Sequence, residues 1–168
     1  MLFNKIVKVS GASNSGKTSI LGEVYNELKT TYGFNVGKNV REQIIKSQES
    51  NIFDHRCLLK GKNKDKKDIS IVITSSGDNQ KEIINNLLFI MECLVKGAPS
   101  PIDFWLLSEN TEHPMIVKLY EKIIDELRVG EKVLDYTIKA THYGNGDKRI
   151  DSDIEKHSNE ILKELNVV

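Results

Sequence analysis

The residues whose types and spacing are most suited to chemistry form a run near the start of the chain. The run matches the spacing G-x-x-x-x-G-K-[ST] and consists of Gly11, Ala12, Ser13, Asn14, Ser15, Gly16, Lys17 and Thr18. The glycines let the backbone wrap closely around an anion, so that successive N–H groups point at one spot. A helix that begins inside the loop adds partial positive charge there. The spacing therefore predicts a phosphate-binding loop.

Two side chains of this run suit a triphosphate and its metal. The ammonium group of Lys17 can reach the β- and γ-phosphate oxygens, and it is also a candidate catalytic group. The hydroxyl of Thr18 suits an octahedral Mg²⁺ that keeps several water molecules. Ser19, the next residue, completes the predicted set of nucleotide contacts. A structural glycine turn without a ligand is the alternative.

A strand-like stretch precedes the loop and a helical pattern follows it, as this motif requires. With that setting, the chain resembles a small, single-domain member of the P-loop NTPase superfamily. The resemblance implies a P-loop three-layer α/β sandwich over residues 1–168, with ATP or GTP and Mg²⁺ bound at the carboxyl ends of parallel strands. It depends on residues 11–18, and no subfamily pattern is matched over the rest of the chain.

The apolar pattern predicts the elements that must position the loop. Strands are predicted over residues 3–9, 52–59, 69–75, 102–108 and 132–141, and helices over 18–32, 78–96, 114–127 and 154–165. Residues 34–40 are compatible with a strand and residues 41–50 with a short helix. The polar run 60–67 fits a hairpin turn, and Asp151 or Ser152 can cap the last helix. Strands that alternate with helices predict a mainly parallel sheet of about five strands with helices on both faces.

P-loop proteins usually add a Walker B acid after a second core strand, and the best counterpart here is residues 69–78. The expected Asp directly after the apolar run is missing, since Thr74 or Ser75 takes its place. Asp78 is therefore the candidate catalytic carboxylate and second metal ligand, although it is equally suited to cap the following helix. Gly77 can donate its N–H to the γ-phosphate, or it can simply form a tight turn.

Two further candidates are an arginine and an aromatic residue. Phosphoryl transfer commonly uses a guanidinium group, and the candidates for this role are Arg41 and Arg149. Tyr143 follows the last predicted strand, where an aromatic ring can stack on a base. An ordinary surface loop is the alternative for Tyr143. The guanine-reading pattern Asn-Lys-x-Asp is absent after the fourth predicted strand, which favours ATP over GTP.

Composition excludes several classes of protein. The 24 basic and 24 acidic side chains cancel, so no overall field draws the chain to nucleic acid or membrane. The five lysines of residues 60–67 fit a solvated hairpin tip better than a nucleic-acid contact. Cys57 and Cys93 lack partners at zinc-ligand spacing and indicate free thiols in a reducing cytoplasm. Neither a signal peptide nor an apolar run of membrane-spanning length is found.

The leading hypothesis is an ATP-binding, Mg²⁺-dependent NTPase or nucleotide switch that acts on the γ-phosphate. A small kinase that transfers this phosphate to a nucleoside, nucleotide or metabolite is one alternative. A binding module without turnover, whose nucleotide-dependent shape is read by a protein partner, is the other. The phosphate acceptor and the oligomeric state are left open.

Overall fold

A computed structural model describes residues 2–13, 15–46, 53–97, 101–127, 133–137 and 148–168. The described strands are β1 (Phe3–Gly11), β2 (Asn35–Val36), β3 (Gln43–Lys46), β4 (Phe53–Lys62), β5 (Asp68–Thr74), β6 (Ile102–Asn110) and β7 (Val133–Thr137). The described helices are α1 (Lys17–Thr30), α2 (Gln80–Lys96), α3 (Pro114–Glu126) and α4 (Lys148–Glu164).

All seven described strands belong to one mixed sheet with the order β2-β4-β5-β6-β1-β7. The short strands β2 and β3 pair with different parts of β4 at the same outer edge. The pairs β1–β6, β1–β7 and β5–β6 are parallel. The pairs of β4 with β2, β3 and β5 are all antiparallel. One half of the sheet is therefore parallel and the other half antiparallel.

The predicted fold class, a P-loop three-layer sandwich with a mainly parallel sheet of about five strands, was wrong. The cause lies in connection lengths, because parallel neighbours need a crossover of a dozen or more residues. Only residues 63–67 separate β4 from β5, so these two strands can pair only as an antiparallel hairpin. The hairpin itself was predicted correctly, and a hairpin requires an antiparallel pair, which a mainly parallel sheet does not contain.

Other elements differ from the predicted ones at their ends or in type. Residues 43–46 form β3 rather than part of a short helix, because their backbone pairs with the first residues of β4. Helix α4 begins at Lys148, so Asp151 and Ser152 lie inside it and do not cap it. The predicted strand 132–141 is described only over β7, and residues 47–50 and 138–141 lie outside the described residues.

Side chains that alternate along the strands build a core on each face of the sheet. Val7 and Val9 of β1 face the side that is covered by α1 and α4. Ile6 of β1 and Trp105 of β6 face the side that is covered by α2 and α3. The helices turn apolar stripes towards these cores, as the burial of Ile20, Leu21, Val24 and Leu28 in α1 illustrates.

Local residue chemistry fixes where the helices begin and end. Gly33 has a φ of +69° beyond the end of α1, the left-handed conformation in which glycine commonly follows a helix. Asn79 caps α2, since its side chain accepts a hydrogen bond from the Glu82 N–H at 3.0 Å.

Cys57 and Cys93 are buried free thiols. Among the described residues, no helix is long and apolar enough to cross a lipid bilayer.

Gly77 is required by a close backbone approach. A Cβ atom at this position would lie 2.0 Å from the carbonyl oxygen of Ser108, whereas a Cβ at Gly22 in α1 meets nothing within 4 Å. We expect Gly77→Ala to lower the free energy of unfolding by about 1–3 kcal/mol through overpacking. The matched control Gly22→Ala should raise it by up to about 1 kcal/mol, as expected inside a helix. Urea unfolding measures both, and equal effects would contradict the prediction.

Candidate functional site

The loop that contains Gly11 and Gly16 connects the end of β1 to the first turn of α1. Gly16 is the N-cap of α1 and has a φ of +85°, a left-handed conformation that favours glycine. The Ile20 N–H donates to the Gly16 carbonyl at 2.9 Å, so the helical hydrogen bonds start there. Asn14 lies outside the described residues. The described loop residues therefore lead directly into a helix N-terminus.

Lys17 is the only lysine among the described buried residues, with 5% of its surface exposed. Its Nζ donates to the Ala12 carbonyl at 2.5 Å and lies 3.5 Å from Ser15 Oγ. Burial lowers the pKa of this ammonium group. The negative charges of three carboxylates oppose that shift, in the order Asp78, Glu112 and Asp54. The loop thus contains the desolvated ammonium group of Lys17, with three carboxylates near it.

Asp54 contacts the first turn of α1 and was missed by the sequence analysis. The Thr18 hydroxyl donates to Asp54 Oδ1 at 3.1 Å, and the Ser75 hydroxyl lies 3.3 Å from the same oxygen. Because β4 is antiparallel to β5, its first residues lie at the edge where the parallel strands end. The hairpin register, with Arg56 opposite Thr74, brings Asp54 beside the residues after β5. That register was the signal from which Asp54 could have been found.

The surroundings of Asp54 favour its protonated form. Desolvation raises the pKa of this carboxyl group, and the charge of Asp78 adds to the rise. Hydrogen bonds from Thr18, Ser75 and Ser76 oppose the shift, since they stabilise the carboxylate. The chain therefore holds a half-buried acid whose negative charge is incompletely compensated.

Asp78 lies at the same edge of the sheet, in the turn between β5 and α2. Its side chain is exposed, and it does not cap α2, because Asn79 has that role. Asn110, at the end of β6, connects this acid to the loop. Its Nδ2 donates to Ser13 Oγ at 2.9 Å and lies 3.4 Å from Asp78 Oδ1. The structure thus places the predicted residues Asp78, Thr18 and Lys17 around one region.

The turn after β5 is supported by a buried polar network. Arg56 Nε donates to Asn86 Oδ1 at 2.7 Å, and Asn86 Nδ2 donates to the Ser76 carbonyl at 2.5 Å. Arg56 also pairs with Glu82, whose carboxylate accepts from the Ser76 hydroxyl at 3.2 Å. Because each group has a partner, the network fixes the backbone that leads to Gly77 and Asp78.

The remaining predicted residues are not all brought to this region. Arg41 is exposed between β2 and β3, and none of its described contacts reaches Lys17 or Asp78. Tyr143 lies outside the described residues. Ser19 is half-buried in the first turn of α1. Gly77 is explained by its approach to Ser108, so its residue type is no sign of a phosphate contact.

The oxygen groups near Lys17 form a small donor set. Thr18 supplies a hydroxyl, and Asp54 and Asp78 supply carboxylates. Within the described ranges, no group of three or more His, Cys, Asp or Glu side chains is arranged to hold a metal ion. Comparison with protein-family models, with curated proteins and with solved structures found no match.

The raised pKa of Asp54 leads to a prediction about stability. An acid with a raised native pKa contributes stability at low pH that is lost as the pH rises through that pKa. Asp54→Asn keeps an oxygen acceptor for Thr18 and Ser75 but removes the charge. At pH 7 we expect a variant Tm that equals the wild-type value or exceeds it by up to about 3 °C.

The measurement is thermal unfolding of both proteins from pH 5 to pH 8 in EDTA. Asp153→Asn is the matched control, because Asp153 is exposed on α4. The Tm advantage of Asp54→Asn should shrink as the pH falls, because a raised native pKa makes the wild-type carboxyl group bind a proton more readily than an ordinary Asp. A clear loss of Tm in Asp54→Asn at pH 7 would show that the charge of Asp54 stabilises the free protein, contrary to this prediction.

Proposed function

We propose that the chain binds a nucleoside triphosphate with Mg²⁺, with ATP as the first candidate, and hydrolyses its γ-phosphate. The observation that carries this proposal is the hydrogen bond between the Thr18 hydroxyl and the Asp54 carboxylate, at 3.1 Å. This hydrogen bond connects the first turn of α1, where Lys17 is buried, to Asp54 at the same edge of the sheet. The proposal concerns this site and does not depend on the fold class that the sequence suggested.

The loop supports the phosphate part of the proposal. Its N–H groups and the N-terminus of α1 favour an anion, and Lys17 adds a full positive charge nearby. In the free protein, the Lys17 ammonium bonds the loop's own Ala12 carbonyl, which is a neutral partner. A phosphate oxygen offers Lys17 a charged partner, and charge-assisted hydrogen bonds are the stronger kind.

Asp54, Thr18 and Asp78 support the magnesium part. Mg²⁺ prefers hard oxygen ligands and is commonly bound by one or two carboxylates together with phosphates and water. Asp54 is half-buried and accepts hydrogen bonds from the neutral hydroxyls of Thr18 and Ser75, so a divalent cation would add a positive charge that these donors lack. When bound, the metal would draw negative charge from the phosphate oxygens. These three residues fit that ion, and Asp54 fills the place of the acid that is missing after β5.

The chain's own residues suggest how the reaction would be assisted. Lys17 and the loop N–H groups can stabilise charge that develops on the phosphate oxygens as water attacks. Asn110 holds Ser13 and Asp78 in a fixed relation across the edge. The kinase alternative gains less support, because Arg41 is not brought to the loop by its described contacts. In addition, only Thr111, Glu112 and His113 connect β6 to α3, which is too short for a closing lid.

The test is binding and turnover of ATP and GTP, each with Mg²⁺ or with EDTA. We expect ATP with Mg²⁺ to raise the wild-type Tm and to release phosphate. Lys17→Ala should weaken binding about tenfold or more, because a charged hydrogen-bond donor is lost. Asp54→Asn should abolish the difference between Mg²⁺ and EDTA, while Asp153→Asn should behave as the wild type does.

Each other outcome has a distinct meaning. Wild-type protein that binds neither nucleotide, or Lys17→Ala that binds as well as the wild type, would refute the proposal. Phosphate transfer only after a nucleoside, nucleotide or metabolite acceptor is added would identify a kinase. Nucleotide binding without turnover would identify the non-catalytic module, leaving the binding part of the proposal standing.

A further inference from the structure

One donor of the loop is bonded to an acid of the chain itself. The Ser13 N–H donates to Glu112 Oε2 at 3.0 Å. Ser13 lies in the run that predicts phosphate binding, and Glu112 lies in the short connection between β6 and α3. A carboxylate oxygen therefore lies at a backbone donor that the proposed function assigns to phosphate.

The backbone holds Glu112 close to the loop. Strands β6 and β1 are parallel neighbours, with Asn110 opposite Gly11 at their ends. The Thr111 N–H donates to the Gly11 carbonyl at 3.0 Å, which extends this pairing into the connection. The Glu112 N–H donates to Asn110 Oδ1 at 3.0 Å, while Nδ2 of the same amide donates to Ser13 Oγ at 2.9 Å. The carboxylate is thus positioned by the sheet and by a buried amide.

Electrostatics favour the ionised form of Glu112 in this place. The hydrogen bond from the Ser13 backbone lowers the pKa of Glu112, and the nearby His113 and Lys17 side chains add to the effect. Its side chain is exposed to solvent, so it can turn outward without breaking a packed core. A charged acid at a loop donor, with a free path away from it, has the properties of a replaceable ligand.

We propose that the Glu112 carboxylate occupies part of the phosphate-binding position of the loop. A ligand phosphate must displace this carboxylate from the Ser13 N–H before the phosphate binds fully. This inference rests on the proposed function and adds a determinant of affinity to the same site. Phosphate and carboxylate need the same donor, and they repel each other if both stay near it. The affinity for a triphosphate would therefore be lower than that of the same loop without Glu112 at the Ser13 N–H, because part of the binding energy is used to displace this carboxylate.

The experiment is calorimetric titration of the full chain with MgATP. Glu112→Ala removes the acceptor, Glu112→Gln keeps an acceptor without the charge, and Lys17→Ala reports whether the loop binds phosphate at all. Glu121→Gln is the matched control, because Glu121 is an exposed acid of α3 away from the loop. We expect Glu112→Ala to bind about two- to fivefold more tightly than the wild type, as for an exposed charged contact. Glu112→Gln should be intermediate, and Glu121→Gln should be unchanged.

Hydrogen exchange of the Ser13 amide in the free protein supplies a second readout. Exchange should be faster in Glu112→Ala than in the wild type, and MgATP should restore protection in the variant. Suppose that Lys17→Ala weakens MgATP binding but Glu112→Ala binds MgATP no more tightly than the wild type. That result would overturn this inference and leave the proposed function intact. Failure of the wild type and of Glu112→Ala to bind MgATP would overturn both. Binding by Glu112→Ala alone would support the displacement of Glu112, but it would refute triphosphate binding by the wild-type chain.

Discussion

The buried ammonium group of Lys17 is the constraint on which this edge of the molecule depends. A lysine that leaves water needs compensating negative charge or its pKa falls, and burial does lower the pKa of Lys17. The compensation comes from different elements, since Asp54 belongs to β4, Asp78 follows β5 and Glu112 follows β6. The ends of these strands must therefore meet beside the loop. The strand order and the hairpin together bring Asp54, Asp78 and Glu112 beside the loop.

The direction of β4 links the fold to the site. In a sheet with only parallel strands, acids at this edge would have to follow a strand, and no acid follows β5 directly. An antiparallel strand presents its first residues at the same edge instead. Asp54 reaches the Thr18 hydroxyl in this way, and the Ser75 hydroxyl lies beside the same oxygen. The feature that contradicts the predicted fold class is also the one that brings Asp54 to the Thr18 hydroxyl.

The loop, its flanking strand and helix, and the hairpin could be predicted because each depends on neighbouring residues: fixed spacing, apolar periodicity or turn composition. Asn110 and Glu112 could not be found in that way, because each acts on residues that are distant in sequence, and Asp54 could be found only by extending the hairpin pairing to the start of β4. Asn110 meets Ser13 only because β6 lies beside β1, and apolar periodicity does not specify strand order. Asp78 was found from its place after a strand, but its alternative role as a cap could be rejected only once Asn79 was seen to cap α2.

The charges at this edge also connect cation binding to phosphate binding. Three carboxylates around one ammonium group leave an excess of negative charge, which would repel a polyphosphate approaching alone. A divalent cation between Asp54 and Asp78 would reduce that excess and would present positive charge to the phosphates. Outward rotation of Glu112 would reduce it further and would free the Ser13 N–H. The proposed metal and phosphate would therefore share one charge balance with Glu112, which is the physical reason for proposing that the triphosphate binds as its magnesium complex.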